Sequence, residues 1–340
     1  MTYVRNVNAQ RDLEAQLQER LTRTFGKLTP GAFATRTRAI VGTDQLPDNA
    51  NGHLALTALQ KLRTAGDRPT AAEFAALEYM IRAMRPAMLV QGNTVEASTD
   101  QDFNRAFADW NIGFRNALPA IAESVGRISK VRMEAGARTW APQGTAFVVA
   151  PGVLMTNTHV LDALSNGQRM LERGQAVIEF RCEAKTQDGG GGREPVFEVD
   201  SVMCVHPDED ACLLRFDGGP GTMPLRFHIE DLPELAPVVA IGFPFPDPER
   251  DPAFVAGMLG VVKGKKRAAP GLVTGRQQRG ATTLYHDCST LGGNSGSPLL
   301  LLGDCTVAGL HRGGGFLWKN MAVDAKLLAS WVREETTYGN

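Results

Sequence analysis

The chain has 340 residues, of which 43% are hydrophobic and 21% charged, and its formal net charge is −1. This composition predicts globular domains with large cores, and the balanced charge argues against nucleic acid or an anionic membrane surface as a partner. No apolar run is long enough to cross a membrane, and the first residues lack a secretory signal pattern. The five cysteines lack zinc-site spacing. We therefore expect reduced thiols, a cytoplasmic location, and neither a metal ion nor a cofactor.

Helical periodicity dominates residues 1–135. Leucines recur at every fourth position near the start of the chain, at Leu13, Leu17 and Leu21. This stripe predicts an amphipathic helix, and a shorter pattern predicts a second helix over residues 51–64. Thr70 and Glu73 have the spacing of a capping box, which predicts the start of a third helix that Pro86 ends.

A fourth helix is predicted over residues 102–117. Its aromatic residues fall on one side, at Phe103, Phe107, Trp110 and Phe114. An aromatic stripe at helical spacing is typical of core packing, and we interpret it in that way.

From about residue 124 the pattern changes to short β-branched segments separated by Gly, Pro and Asp. These segments include AFVVAPGVLMTN, PVFEVDSVMCV, ACLLRF, PVVAIGF, GLVTGR, TVAGLH and NMAVDA. Many short strands without intervening helices predict an all-β barrel or sandwich. Residues 324–335 return to helical periodicity, and the basic stretch 264–271 is predicted to be a solvated loop.

The stretch STLGGNSGSP surrounds Ser295 with glycines, which suits either a flexible connector or a tight turn. A serine nucleophile needs a nearby base and donors for the oxyanion that forms on attack. The spacing of Gly293 and Ser295 allows both backbone N–H groups to point into one small volume. The pattern G-x-S-G-S differs from G-x-S-x-G, and strand–helix alternation is absent, so an α/β-hydrolase is disfavoured.

Candidate partners for the serine lie upstream. Among six histidines, His159 follows two apolar segments and a turn of small residues, although packing alone also explains such a histidine. Asp210 immediately precedes the apolar run ACLL, so a buried strand entry can hold it against an imidazole. Asp208 and Glu209 are predicted to be solvated turn residues.

Three motifs in order, G-T-x-F…T-N-x-H-V, D-x-x-L-L and G-N-S-G-S-P, resemble the chymotrypsin-fold serine peptidases. The resemblance covers residues 136–336 and is closest to the bacterial, glutamyl-endopeptidase-type branch. It implies a mostly β fold with two six-stranded barrels and a C-terminal helix. It also implies that His159 is the general base, Asp210 orients it, and Ser295 is the nucleophile. The amides of Gly293 and Ser295 would form the oxyanion hole, and the substrate would be a protein or peptide.

The same resemblance suggests which residues choose the substrate. Ser289 matches the pocket floor and carries no charge, although Asp287 lies close by. In the glutamyl-specific branch, residues matching Thr290 and His311 bind an acidic P1 side chain. An acidic P1 is the first expectation, with small or apolar and basic P1 residues as alternatives. The substrate backbone is expected to pair with Arg312, Gly313 and Gly314.

The chain is predicted to divide into an all-α region, 1–135, and a peptidase domain, 136–340. Short runs at 85–90 and 125–128 resemble a segment that precedes the peptidase domain in bacterial trypsin-like proteins of predicted defence systems. The helical region then has two interpretations, a regulatory region that docks a partner or a scaffold for the first barrel. Besides an active peptidase that activates a defence effector, the alternatives are a peptidase-fold binding or scaffold protein without turnover, and an esterase.

Overall fold

The computed structural model describes most of the chain beyond residue 49. The described residues are 50–62, 67, 69–83, 85, 87–98, 101–181, 195–218, 222–245, 264–276, 282–315 and 319–338. The predicted first helix, with Leu13, Leu17 and Leu21, and the position of Pro86 lie outside them. In the described ranges, no helix is both long and apolar enough to cross a membrane.

Six antiparallel strands close into the first barrel, in the order β2-β3-β4-β7-β6-β5. The strands are β2 (Val125–Glu134), β3 (Ala137–Ala150), β4 (Val153–Thr156), β5 (Ala176–Glu179), β6 (Phe197–Val205) and β7 (Cys212–Phe216). Successive side chains of a strand point to opposite faces. Leu214 therefore packs inside this barrel, whereas Leu213 packs in the core shared with the helical region and the second barrel. Burial on both faces explains why β7 begins with the apolar run at residues 212–214.

The second barrel closes through six antiparallel strands in the order β8-β9-β10-β13-β12-β11, because β8 pairs with both β9 and β11. They are β8 (Pro237–Gly242), β9 (Arg267–Arg276), β10 (Thr283–His286), β11 (Pro298–Leu301), β12 (Val307–Gly315) and β13 (Lys319–Asp324). A two-residue strand from the N-terminal region, β1 (Met88–Leu89), adds to this sheet beside β9. The predicted mostly β, double six-stranded barrel is confirmed.

Helices precede, interrupt and follow the barrels. They are α1 (Ala50–Lys61), α2 (Ala71–Ala83), α3 (Gln101–Ala106), a π-helix (Trp110–Phe114), α4 (Arg115–Ala122), α5 (Thr158–Ser165) and α6 (Ala325–Tyr338). The capping box before α2 is confirmed, since the Thr70 N–H donates to Glu73 Oε2 at 2.6 Å and the Glu73 N–H donates to Thr70 Oγ1 at 3.3 Å. The predicted C-terminal helix is α6.

The predicted fourth helix is divided into α3, the π-helix and α4. Its four aromatic side chains are all buried, which confirms their interpretation as core. Phe103 and Phe107 have ring centroids 4.9 Å apart, and Trp110 and Phe114 are 4.8 Å apart. The cluster continues into residues of both barrels. The region before residue 135 therefore shares a core with the barrels, and the proposed boundary at 135 stays a prediction.

The basic stretch 264–271 is not a solvated loop, and that prediction is wrong. Most of it lies in β9, and the Lys266 side chain is fully buried. Lys266 Nζ donates to the carbonyls of Ala122 and Phe180, at the ends of α4 and β5, so these carbonyls replace water around the ammonium. Sequence reasoning missed this position because a charged run is ordinarily solvated, and the carbonyls come from distant segments.

Candidate active site

His159 lies in the first turn of α5, directly after strand β4. Asn157 precedes this helix in an extended conformation, with φ −80° and ψ 153°. Its Nδ2 donates to the Asp210 carbonyl at 2.8 Å, and the Thr158 hydroxyl donates to the Ala211 carbonyl at 3.1 Å. These two bonds fix the start of the helix against the β6–β7 connection. The His159 side chain stays 48% exposed, so solvent reaches the ring.

Asp210 holds His159 through both of its carboxylate oxygens. Oδ2 lies 2.7 Å from His159 Nδ1, and Oδ1 accepts the His159 backbone N–H at 3.1 Å. A carboxylate can only accept, so the imidazole carries its proton on Nδ1, and Nε2 is left with a lone pair. Burial opposes ionisation of Asp210, but its hydrogen bonds with the ring and the backbone N–H of His159 outweigh burial and lower the pKa of Asp210 below its ordinary value. The pair is therefore a base held in one tautomer.

Two successive turns form the loop that carries Ser295. The Asn294 N–H donates to the Leu291 carbonyl at 3.2 Å, and the Ser297 N–H donates to the Asn294 carbonyl at 2.9 Å. Gly293 and Gly296 each have φ +86°, a conformation that favours glycine. A Cβ would lie 2.3 Å from the Phe243 carbonyl oxygen at Gly293, and 1.9 Å from the Thr145 carbonyl oxygen at Gly296. Only glycine fits either position.

Strand β3 of the first barrel joins this loop to the neighbourhood of His159. The Thr145 N–H donates to the Ser295 carbonyl at 2.8 Å, and the Thr145 hydroxyl donates to the Gly293 carbonyl at 2.8 Å. At Gly144, a Cβ would lie 2.9 Å from both the Ser295 carbonyl oxygen and Val160 Cγ2. Glycine at this position lets the serine loop approach the residue that follows His159.

Ser295 is partly exposed, and its hydroxyl makes no hydrogen bond to the His159 ring in the described part of the chain. The structure therefore joins His159 to Asp210 directly and brings Ser295 near them only through Gly144 and Val160. Contacts of this kind are commonly long without substrate and shorten when it binds.

The amides around Ser295 divide into two groups. The N–H groups of Asn294, Gly296 and Ser297 donate to protein carbonyls. Those of Gly293 and Ser295 donate to no residue that the structure describes. Two amide donors without acceptors, flanking a partly exposed hydroxyl, can stabilise an oxygen that becomes negatively charged.

The predicted substrate-binding residues differ in exposure. Ser289 is buried, and its hydroxyl donates to the Arg85 carbonyl at 3.0 Å, while Thr290 is partly exposed. His311 is buried, with its Nδ1 3.0 Å from His286 Nε2. Asp287, the residue that suggested a basic P1, is buried against Arg85.

Strand β12 offers an open edge next to these residues. It pairs with β11 as far as Leu310, and His311 exchanges backbone hydrogen bonds with Gly296 and Ser297. Beyond this point, no described strand pairs with residues 312–314 on the β11 side. The Arg312 side chain spans the two barrels, with Nη1 3.4 Å from Glu209 Oε2 and Nη2 donating to Thr283 Oγ1 at 2.9 Å. Glu209 is thus paired, whereas a solvated turn residue was predicted.

Sequence reasoning missed one partner of the site, Arg85. The only signal was a basic residue within the apolar run AMRPAMLV, and nothing local to that run indicated Asp287 as its partner. Among the described residues, no group of three or more His, Cys, Asp or Glu side chains is arranged to hold a metal ion.

Comparison with known proteins finds a match to a family model in the central part of the chain. Residues 144–310 match the family model of the trypsin-like peptidase domain. Among solved structures, the chain is similar to "HtrA-type protease AlgW with decapeptide", with 17% identity, a TM-score of 0.48, and coverage of 67% of this chain and 69% of that chain. No curated protein matches the chain. The double barrel and the matched domain together support a hydrolase, a peptidase of the trypsin-like, chymotrypsin-fold class.

Proposed function

We propose that the protein is a serine endopeptidase that cleaves peptide bonds by acyl transfer. The observation that carries this proposal is the His159–Asp210 pair, which leaves Nε2 as a base, together with the contact of Gly144 with both Val160, the residue after His159, and the serine loop. The amide N–H groups of Gly293 and Ser295, which donate to no residue that the structure describes, support the same chemistry. The bacterial and defence assignments stay predictions from the resemblance, and the cytoplasmic location stays a prediction from the cysteines and the first residues.

In the proposed mechanism, His159 Nε2 takes the proton of the Ser295 hydroxyl while Oγ attacks the peptide carbonyl carbon. The carbonyl oxygen becomes an oxyanion that accepts hydrogen bonds from the Gly293 and Ser295 amides. When the C–N bond breaks, the leaving amine takes the proton from His159, and an acyl-serine remains. Water then gives a proton to His159 and attacks the ester, and the proton returns to Ser295 as the acid leaves. Asp210 remains a carboxylate and stabilises the imidazolium.

An extended peptide fits the proposed site because residues 312–314 present an unpaired strand edge in the described structure. A substrate backbone can add to this edge as an antiparallel strand, which directs its scissile carbonyl toward Ser295. Gly313 has φ +140°, and a Cβ there would meet no atom within 4 Å, so the approach is open.

The proposal extends to an acidic P1 side chain, recognised by His311 with Thr290. The Cys288 N–H donates to His286 Nδ1 at 3.3 Å, which assigns the His286 proton to Nε2. His286 Nε2–H then donates to His311 Nδ1, 3.0 Å away, which assigns the proton of His311 to its Nε2. In this assignment both rings are neutral, and the His311 group suited to hydrogen-bond a carboxylate is Nε2–H. A basic P1 is disfavoured because Arg85 already neutralises Asp287.

The replacement His311→Phe removes the N–H donor and is expected to reduce cleavage after Glu relative to cleavage after Ala by about 10- to 100-fold, the usual value of a hydrogen bond to a charged group. The measurement is kcat/KM on matched fluorogenic peptides that differ only at P1. His228→Phe is the control, because His228 contacts Thr306 on another part of the barrel. A wild-type profile without preference for Glu would refute the acidic P1.

Labelling of the full chain with a fluorophosphonate probe, followed by mass spectrometry, tests the proposed chemistry. We expect one adduct on Ser295, and loss of peptide cleavage in proportion to labelling. Absence of both labelling and cleavage, together with a tight complex in a pull-down, would instead favour the binding or scaffold protein. Cleavage of esters without peptides would favour an esterase.

A further inference from the structure

A buried ion pair joins the N-terminal region to the second barrel. The side chains of Arg85 and Asp287 are 1% and 2% exposed. Arg85 Nη1 lies 3.1 Å from Asp287 Oδ1, and Nη2 lies 2.8 Å from Oδ2, which is a bidentate geometry. Oδ1 also accepts the Leu272 backbone N–H at 2.6 Å. Buried charges are tolerated only when they are paired and hydrogen-bonded, so each residue of this pair depends on the other.

We call Arg85 together with residues 87–90 the strap. The strap is held on the barrel by its backbone as well as by Arg85. Within it, β1 pairs with β9, and the Val90 N–H donates to the Lys266 carbonyl at 3.0 Å. Arg267 Nη1 donates to the Ala87 carbonyl at 2.9 Å. These contacts align the strap beside β9 and deliver the guanidinium to Asp287.

Two groups of Arg85, its guanidinium and its carbonyl, contact the start of the segment that leads to Ser295. Its guanidinium holds Asp287, and its carbonyl accepts the Ser289 hydroxyl at 3.0 Å. The opposite side is tightly packed, since a Cβ on Gly271 would lie 2.6 Å from the Cys288 nitrogen and 2.8 Å from Asp287 Oδ1. The base of the segment 287–295 is therefore held between β9 and the strap.

We propose that Arg85 is a positioning residue that sets the geometry of the segment 287–295, and through it the geometry of Ser289 and Ser295. This inference rests on the proposed function of Ser295. Loss of the guanidinium removes the bidentate counter-charge that Arg85 gives to the buried Asp287 carboxylate, so the segment shifts toward water. The N-terminal region is then a required part of the catalytic unit, and release of the strap inactivates the site.

The test uses full-length Arg85→Met and Arg85→Lys variants, each checked for folding by circular dichroism. We expect Arg85→Met to lower kcat/KM by about 100-fold, the usual effect of displacing a reactive group by about 1 Å. Arg85→Lys keeps the charge but not the bidentate geometry, so we expect a smaller decrease in kcat/KM. Backbone amide exchange in residues 287–297 is expected to become faster in Arg85→Met. A third variant, Arg85→Ala, leaves space for a guanidinium group; its exchange is expected to be fast as well, and added guanidinium ion is expected to slow it.

Arg127→Met is the matched control. Arg127 pairs with Glu179 at 2.7 Å in the first barrel, and both side chains are largely buried. Its replacement removes an ion pair that does not contact the segment 287–295. We expect lower thermal stability with unchanged kcat/KM and unchanged exchange in that segment.

A folded Arg85→Met variant with wild-type exchange in residues 287–297 would overturn the positioning role. Equal acceleration of exchange in Arg85→Met and Arg127→Met would overturn it as well, because the effect would then reflect stability alone. Failure of the proposed function has a different signature, which is a wild-type chain that neither cleaves peptides nor labels at Ser295. In that case the exchange comparison still decides whether Arg85 orders the segment.

Discussion

Replacement of Ser295 by alanine is expected to lower the kcat of peptide hydrolysis by on the order of a million-fold, as in other complete losses of a serine nucleophile. The methyl group cannot form the acyl-enzyme, so only binding and the oxyanion donors remain to assist attack by water. The measurement is cleavage of the best fluorogenic peptide under single-turnover and steady-state conditions. The enzyme concentration is high enough to distinguish the residual rate from that of a contaminating peptidase.

Ser297→Ala is the matched control for this prediction. Ser297 lies two residues further along the same loop, is fully buried, and has a hydroxyl without a hydrogen-bond partner in the described structure. Removal of that hydroxyl leaves no group unpaired, so activity is expected to stay near the wild-type value. Wild-type cleavage by Ser295→Ala would show that another residue is the nucleophile.

Asp210→Asn is expected to lower kcat by about ten thousand-fold at neutral pH. An amide in this position can donate to the ring, which favours the wrong tautomer of His159 and removes the lone pair from Nε2. The imidazolium that forms during catalysis also loses its counter-charge. The matched control is Asp208→Asn, an exposed residue of the same turn, which is expected to keep wild-type activity. A fully active Asp210→Asn variant would exclude Asp210 as the orienting group.

The pKa of Asp210 also predicts a pH dependence of stability. Since the folded pKa lies below the ordinary value of about 3.9, the ionised carboxylate stabilises the fold above that value. This contribution is lost progressively as the pH falls below the ordinary value and through the lower, folded pKa. Thermal unfolding between pH 3 and 7 should therefore show a smaller loss of stability on acidification in Asp210→Asn than in the wild type. Equal pH dependence in the two proteins would contradict this prediction.

Local sequence patterns were sufficient to predict features whose interactions join residues close together in the chain. The capping box of Thr70 and Glu73 and the aromatic stripe before the first barrel depend on residues within one or two helical turns. The short β-branched segments predicted an all-β fold, but they left barrel and sandwich open, and it was the motif resemblance that implied the double barrel. Closure of the second barrel depends on strand pairings such as that of β8 with β9, in which the paired residues lie far apart in the chain.

The buried cations were beyond sequence reasoning for the same reason. Lys266 is solvated by the carbonyls of Ala122 and Phe180, and Arg85 is neutralised by Asp287, 202 residues away. These partners help to offset a burial penalty of several kcal/mol per charge, and no local pattern reveals them. The role of His286 was equally beyond sequence reasoning. Its hydrogen bond to His311, on a different strand, fixes the tautomer of the His311 ring.

The sequence by itself determined the order of the chemical groups: a histidine after an apolar strand, an acid before another, and a serine among glycines whose missing side chains free the backbone. Only the tertiary structure decided that Asp210 reaches both the ring and the backbone of His159, and that Gly144 lets the serine loop approach them. It alone decided that the Arg85 carbonyl accepts a hydrogen bond from the Ser289 hydroxyl. The reason is physical, because hydrogen bonds act over about 3 Å, whereas sequence patterns describe only neighbours along the chain.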